Sequence, residues 1–267
     1  MIFLHLGPPK TGTTSLQLAL QNCEAIAYGG TQQPRTQDPK ELSRALQYFA
    51  VGRRNESHAA RAVQDALARS RGRPLVISEE MYLVDTHGVS FQTKLRRLRR
   101  VLPDPVVVSL CVRTPMGAME SLQRELEGGL PLLERFDLGS FAQSNQGRVY
   151  RYSVLKRELR RAGFERQHFF PFDQLDTLGL RDVLGPEAPN VRLSWTNANA
   201  GRKARRIRPS DFAPPIDVFP AALHPLLRQV NRLAQLRVST RRHRPLPWLE
   251  REHRLFLRAL DEGRPAP

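Results

Sequence analysis

Nine consecutive residues, Gly7-Pro8-Pro9-Lys10-Thr11-Gly12-Thr13-Thr14-Ser15, have the types and spacing that bind a phosphate-like anion. Two glycines allow a tight turn whose backbone N–H groups point at one spot. Lys10 adds positive charge, and Thr11, Thr13, Thr14 and Ser15 add hydroxyl donors. If a helix begins where the loop ends, its unpaired N–H groups face the same anion.

The nucleotide-binding pattern G-x-x-x-x-G-K-[ST] is matched only in part. Gly7 and Gly12 have the right spacing and Thr14 matches the final hydroxyl, but Thr13 stands where the lysine belongs. In an NTPase that lysine reaches the β- and γ-phosphates while the hydroxyl helps hold magnesium. A lysine ahead of the second glycine, as Lys10 is, sits nearer the loop's own phosphate. There it can neutralise a leaving phosphate without a metal.

The elements that must carry this loop are legible from apolar periodicity. Ile2 to Leu6 reads as a buried strand, and Thr13 or Thr14 as the cap of a helix carrying Leu16, Leu18, Ala19 and Leu20. A short strand is expected over Ala25 to Tyr28, and helices over Glu41 to Ala50 and His58 to Arg69. Pro74 to Ser78 is a second buried strand, followed by a basic helix from Phe91 to Leu102. Val106 to Val112 is the strongest strand; a helix from Met116 to Glu127 follows, closed by Gly128-Gly129. A helix over Arg148 to Ala162, a strand over His168 to Phe172 and a helix over Gln174 to Leu184 complete the alternation. Strand-helix alternation predicts an α/β fold, a parallel sheet covered by helices. After residue 195 the texture changes to a basic loop (Asn197 to Arg208), a proline-rich stretch and two amphipathic helices, about Ala221 to Leu236 and Pro247 to Glu262. The organisation expected is one domain over 1–267. Residues 1–195 form its α/β core, and the basic loop and helices of 196–267 pack on it.

The run P-K-T-G-T-T-S-L resembles the 5′-phosphosulfate loop of sulfotransferases that use 3′-phosphoadenosine 5′-phosphosulfate (PAPS). The opening from His5 to Gln17 is similar to the bacterial branch of that family. The resemblance implies a P-loop NTPase-like sulfotransferase fold with a helical C-terminal extension. It implies Lys10, Thr11, Gly12, Thr13, Thr14 and Ser15 as the 5′-phosphosulfate site, PAPS as co-substrate and PAP as product. The family grips the 3′-phosphate with a strand-end arginine and a serine eight residues on. Arg113 and Ser121 match those positions, and Arg113-Thr114-Pro115 resembles the family's R-N-P with Thr for Asn. Gly201, Arg202 and Lys203 fit loosely the family's closing loop over that phosphate, with Asn197 and Asn199 beside them.

Sulfuryl transfer is an in-line displacement that needs positioning, charge stabilisation and a place for the acceptor's proton. Glu79 and Glu80 end the Pro74–Ser78 strand, on the sheet edge where α/β proteins bind ligands. The family's strand commonly ends Ser-Ser-Glu, which aligns with Ser78-Glu79-Glu80. Glu80 is the first candidate base and Glu79 the second. His5 belongs to the core of the first strand, and His87 is a minor candidate. The seven histidines have no metal-ligand spacing, and the proposed reaction calls for no metal.

Composition bounds the partners. The 267 residues are 40% hydrophobic and 25% charged, values of a globular protein. No apolar run approaches a membrane span, and Ile2 to Leu6 lacks the basic flank and cleavage site of a signal peptide. Cys23 and Cys111 suit a reduced, cytoplasmic protein. The net charge of +16 comes from 42 Lys and Arg, only five of them Lys, against 26 Asp and Glu. GC-rich coding accounts for that as readily as an anionic partner does. From Thr196 onward 15 basic and 6 acidic residues carry more than half of it. The acceptor is open: a small molecule, a glycan or a glycolipid, with the charge leaning toward an anionic one. Trp248, Leu249, Leu255, Phe256, Ala259 and Leu260 share a helix face that reads as a packing surface, and basic amphipathic helices also dock on anionic lipid. Two other functions compete. A magnesium-dependent P-loop kinase or NTPase would read Ile77 to Glu80 as a degenerate metal-binding strand end, but leaves Arg113 and Ser121 without a role. A nucleic-acid-binding protein would use the basic tail, but no zinc-finger, RNP or helix-turn-helix pattern occurs.

Overall fold

The apolar runs of the sequence become neighbouring strands of one parallel sheet. The computed structural model describes residues 1–35, 41–86, 88–127, 138–195, 212–213, 223, 226, 237–238 and 245–262. In chain order these form β1 (Ile2–His5), α1 (Thr13–Gln21), β2 (Ala27–Tyr28), α2 (Glu41–Ala50), α3 (Glu56–Arg69), β3 (Leu75–Ser78), α4 (Phe91–Val101) and β4 (Val106–Val112). Next come α5 (Pro115–Glu127), α6 (Leu138–Gln143), α7 (Tyr152–Arg161), β5 (Arg166–Pro171) and α8 (Leu180–Leu184). Two short paired strands, β6 (Phe212–Ala213) and β7 (Arg237–Val238), precede helix α9 (Pro247–Asp261).

The sheet order is β2-β3-β1-β4-β5, all parallel. Strands β1, β3 and β4 are buried at every position because alternate residues feed two cores. Ile2, Leu4, Leu75, Ile77, Val108 and Leu110 face the core made with α2, α3, α4, α7 and α9. Phe3, Val76, Val107 and Cys111 face the smaller core under α1 and α8. The protein is therefore an α/β fold, a five-stranded parallel sheet with helices on both faces.

Register then decides what meets at the sheet's C-terminal edge. His5 lies opposite Ser78 on one side and Ser109 on the other, so the glycine loop emerges beside Glu79-Glu80. Strand β4 runs on to Val112, opposite Pro171 of β5, which sets Arg113 beside Phe172.

Three expectations need correction. Gly12, in a left-handed conformation, holds the N-cap position of α1, so neither threonine caps it. The helix expected over 148–162 is a 3-10 turn (Gln146–Tyr150) followed by α7, parted at Arg151. Tyr150 and Tyr152 are both buried and both bond toward the loop edge, and residues two apart on one α-helix cannot face the same way. The helix expected over 174–184 is likewise a 3-10 turn (Phe172–Thr177) and the short α8, separated at Gly179, whose N–H donates to Asp182 Oδ2 at 2.8 Å. Gly128-Gly129, the loop over 197–208 and nearly all of the helix expected over 221–236 lie outside the described residues.

Candidate functional site

The loop after β1 is shaped by two residues with positive φ, Lys10 at 68° and Gly12 at 79°. Gly12 also sits against the turn after β5: a Cβ there would lie 2.6 Å from Leu175 Cδ2. A Cβ on Gly7 would lie 2.0 Å from Thr13 Oγ1. Gly7 is thus packed against the Thr13 side chain, while Gly12 requires glycine for its conformation, with the Leu175 and Phe172 side chains close against it. Thr11 turns beneath the loop, with its hydroxyl donating to Pro8 O at 2.7 Å. The Tyr150 hydroxyl donates to Pro9 O at 3.1 Å. The first N–H groups of α1 have no partner within the helix, and Gly12 brings no side-chain cap. Thr13 Oγ1 is buried without a hydrogen-bond partner among the described residues. The loop thus gathers unsatisfied donors at the positive end of a helix dipole.

Arg113 reaches this loop from the end of β4. One guanidinium nitrogen donates to Lys10 O at 2.7 Å, and the group lies 4.5 Å from the centre of the Phe172 ring. An arginine has five N–H donors, so this bond leaves capacity for an anion. Its backbone is fixed by Tyr152, whose hydroxyl accepts from Arg113 N at 3.0 Å and donates to Arg113 O at 2.9 Å. Burial holds the Tyr152 phenol well above its usual pKa, so it keeps the proton it donates. Behind Tyr152 pack His253 and Phe256 of α9.

The two glutamates separate. Glu79 is 1% exposed and away from the cleft. Its carboxylate accepts from the Thr31 hydroxyl, from Gln47 Nε2 and from Met81 N at 2.9 Å. Glu80 turns outward and pairs with Arg35. The turn that follows is anchored by buried Lys94, which donates to Met81 O at 3.0 Å, Val84 O at 2.5 Å and Thr86 Oγ1 at 2.5 Å. Burial pushes the Lys94 ammonium pKa down, against the pull of Asp85 and Glu79.

One open cleft of about 1040 Å³ gathers most of the sequence candidates. Lys10, Gly12, Thr13, Thr14, Ser15, Glu80, Arg113 and Ser121 all line it. Thr11 and Glu79 do not. Gly201, Arg202, Lys203 and His87 lie outside the described residues. Sequence reading missed Arg35, Phe172, Asp173, Leu175, Asp176 and Trp195, which complete the wall. Phe172 and Asp173 follow directly on a strand end, a signal that could have marked them; Arg35 sits in a loop with no local pattern. His5 lies under the loop, with Nδ1 2.8 Å from Ser78 Oγ; burial pushes its pKa down to about 3, so it stays neutral. No group of three or more His, Cys, Asp or Glu is placed to hold a metal ion among the described residues.

The chemistry open to this cleft is anion binding at two points, the glycine loop and Arg113, with a reachable carboxylate beside the first. No protein-family model matches the chain, and no curated protein matches it. Among solved structures it is similar to a sulfotransferase domain from the curacin biosynthetic pathway, at 16% identity over 66% of this chain and 68% of that one, with a TM-score of 0.34. Among the described residues no helix is long and apolar enough to cross a membrane.

Proposed function

We propose that this chain is a sulfotransferase that moves a sulfuryl group from PAPS to a hydroxyl or amine acceptor. The observation that carries the reading is the joining of Lys10, Thr13–Ser15, Arg113, Ser121 and Glu80 in a single cleft. The residues fit the nucleotide. Glycine at 7 and 12 permits the tight turn of the loop, no side chain caps the first N–H groups of α1, and buried Thr13 Oγ1 lacks a partner among the described residues. The loop would hold the 5′-phosphosulfate, Arg113 and Ser121 the 3′-phosphate, and Trp195 with Leu175 an apolar wall for the base.

PAPS, when bound, supplies a sulfuryl group activated by its bond to a phosphate. Glu80 accepts the proton that the acceptor's hydroxyl or amine gives up. Lys10 and the N–H groups of α1 stabilise the negative charge that collects on the 5′-phosphate as the bond to sulfur breaks. Glu79, fully bonded and out of the cleft, holds the turn that presents Glu80. The acceptor in this reading is a small molecule or a glycan, including a glycolipid.

Release of PAP from PAPS, measured with a mixed pool of hydroxyl and amine acceptors, tests the proposal. Lys10→Ala is expected to lower the rate by about 10²–10³, the cost of losing one preorganised charge-stabilising donor. Glu80→Gln should lower it by about 10²–10⁴ by removing the base. Acceptor-dependent release that is unchanged in both variants would overturn these assignments.

A further inference from the structure

The sheet order divides the cleft into two halves about the glycine loop. Arg113, Ser121 and Phe172 follow β4 and β5 on one side; Glu80 follows β3 on the other. The second half holds a cation outside the nucleotide's grips, Arg35.

Arg35 is presented by a braced segment. Gly29 N donates to Val76 O at 2.8 Å and Thr31 N to Ser78 O at 3.0 Å, extending the sheet edge past β2. Gln33 is then clamped to α1: its N–H donates to Gln21 Oε1 at 2.9 Å and its side chain to Gln17 Oε1 at 2.6 Å. Two residues on, the Arg35 guanidinium reaches into the cleft and pairs with the Glu80 carboxylate. Its side chain is 47% exposed and that of Glu80 23%. A pair this open is screened by water and held weakly, so an incoming oxyanion can take the guanidinium at little cost. Guanidinium geometry suits two-point binding of carboxylate, phosphate or sulfate.

We propose that Arg35 is an acceptor-recognition site for an oxyanion, so that the preferred acceptor carries a carboxylate, phosphate or sulfate near its reacting group. Binding of that anion draws the Arg35 guanidinium from its pair with Glu80 and sets the acceptor's charged group beside the Glu80 carboxylate. This inference rests on the sulfotransferase reading and names its acceptor class.

The test uses the full chain saturated with PAP, so that the glycine loop and Arg113 are occupied. Side-chain Nε–H signals of arginine are followed by NMR while acetate, inorganic phosphate, methyl sulfate and, as the neutral control, methanol are titrated in. Arg35 is assigned as the signal missing from Arg35→Lys. Its saturable movement with at least one anion, and none with methanol, is the expected result. Affinity for that anion should fall about tenfold or more in Arg35→Ala, the loss of one charge-assisted contact, and be kept only in part in Arg35→Lys, which retains the charge but not the two-point geometry. The responding anion identifies the acceptor's charged group. An Arg35 signal that ignores all three anions in PAP-bound protein would overturn this inference alone. Failure of PAP to bind would overturn the reading beneath it.

Discussion

At the scale of single residues, the site depends on which side chain is absent as much as on which is present. Gly12 combines a φ of 79° with a wall 2.6 Å from where a Cβ would stand. Gly12→Ala is therefore expected to cost about 1–3 kcal/mol of stability, the usual range for a strained backbone position, and to abolish PAP binding; urea unfolding and calorimetry check the two effects separately. An alanine variant that binds PAP normally would mean the loop is not the nucleotide site. The glycines, Lys10 and the run of hydroxyls were legible in the sequence because the chemistry lies within nine residues. The choice between Glu79 and Glu80 was not, since adjacent residues differ only in direction. The partners Thr31, Gln47 and Met81 N, which bury Glu79, come from three separate segments. Arg35 was invisible for the same reason: only tertiary folding brings it to Glu80.

At the scale of elements, each strand of the sheet was read as a strand, whereas two segments read as single helices are broken. Val106–Val112 has the bounds its sequence predicts, because a strand buried on both faces is apolar at nearly every position, here at all but Ser109. The segment from Arg148 to Ala162 reads as one helix by composition but breaks at Arg151, so that Tyr150 and Tyr152 can both serve the cleft. That break has a measurable consequence. Tyr152→Phe removes the hydroxyl that spans Arg113 N and O while leaving the ring against His253 and Phe256. The loss should be about 1–3 kcal/mol in denaturant unfolding, the cost of stranding buried polar groups. PAP affinity should weaken while the affinity of a nucleotide lacking the 3′-phosphate stays near that of the unchanged chain, because Arg113 is the group displaced. Equal weakening of both would assign Tyr152 to packing alone. Of the helix face read as a packing surface, Leu249, Phe256 and Ala259 are buried, whereas Trp248 and Leu255 remain 37% and 43% exposed.

At the scale of the whole molecule, the fold places a neutral histidine beneath the glycine loop and so ties stability to pH. The His5 pKa is pushed down to about 3 by burial, whereas an unfolded histidine titrates near 6.5. The unfolded chain therefore binds the extra proton first. The His5 contribution to stability is full above about pH 6.5 and falls as pH drops toward 3, by at most about 1.4 kcal/mol per pH unit. In His5→Gln the fall in the urea midpoint across that window should be shallower than in the unchanged chain; an identical slope would show that His5 is not held neutral. The arginine excess, by contrast, gave the sequence little leverage, because charge alone does not distinguish a nucleotide from a glycan, a lipid or nucleic acid. Joint binding of a 3′-phosphorylated nucleotide by the loop and Arg113 is checked by thermal unfolding with PAP, ATP and magnesium-ATP. A ligand at a hundredfold excess over its Kd stabilises the fold by about 2.7 kcal/mol, a Tm rise of several degrees for a chain of this size. PAP is expected to raise Tm with or without magnesium, and Arg113→Ala to lose that rise. Stabilisation by magnesium-ATP alone, with none from PAP, would contradict it and identify a kinase or NTPase instead.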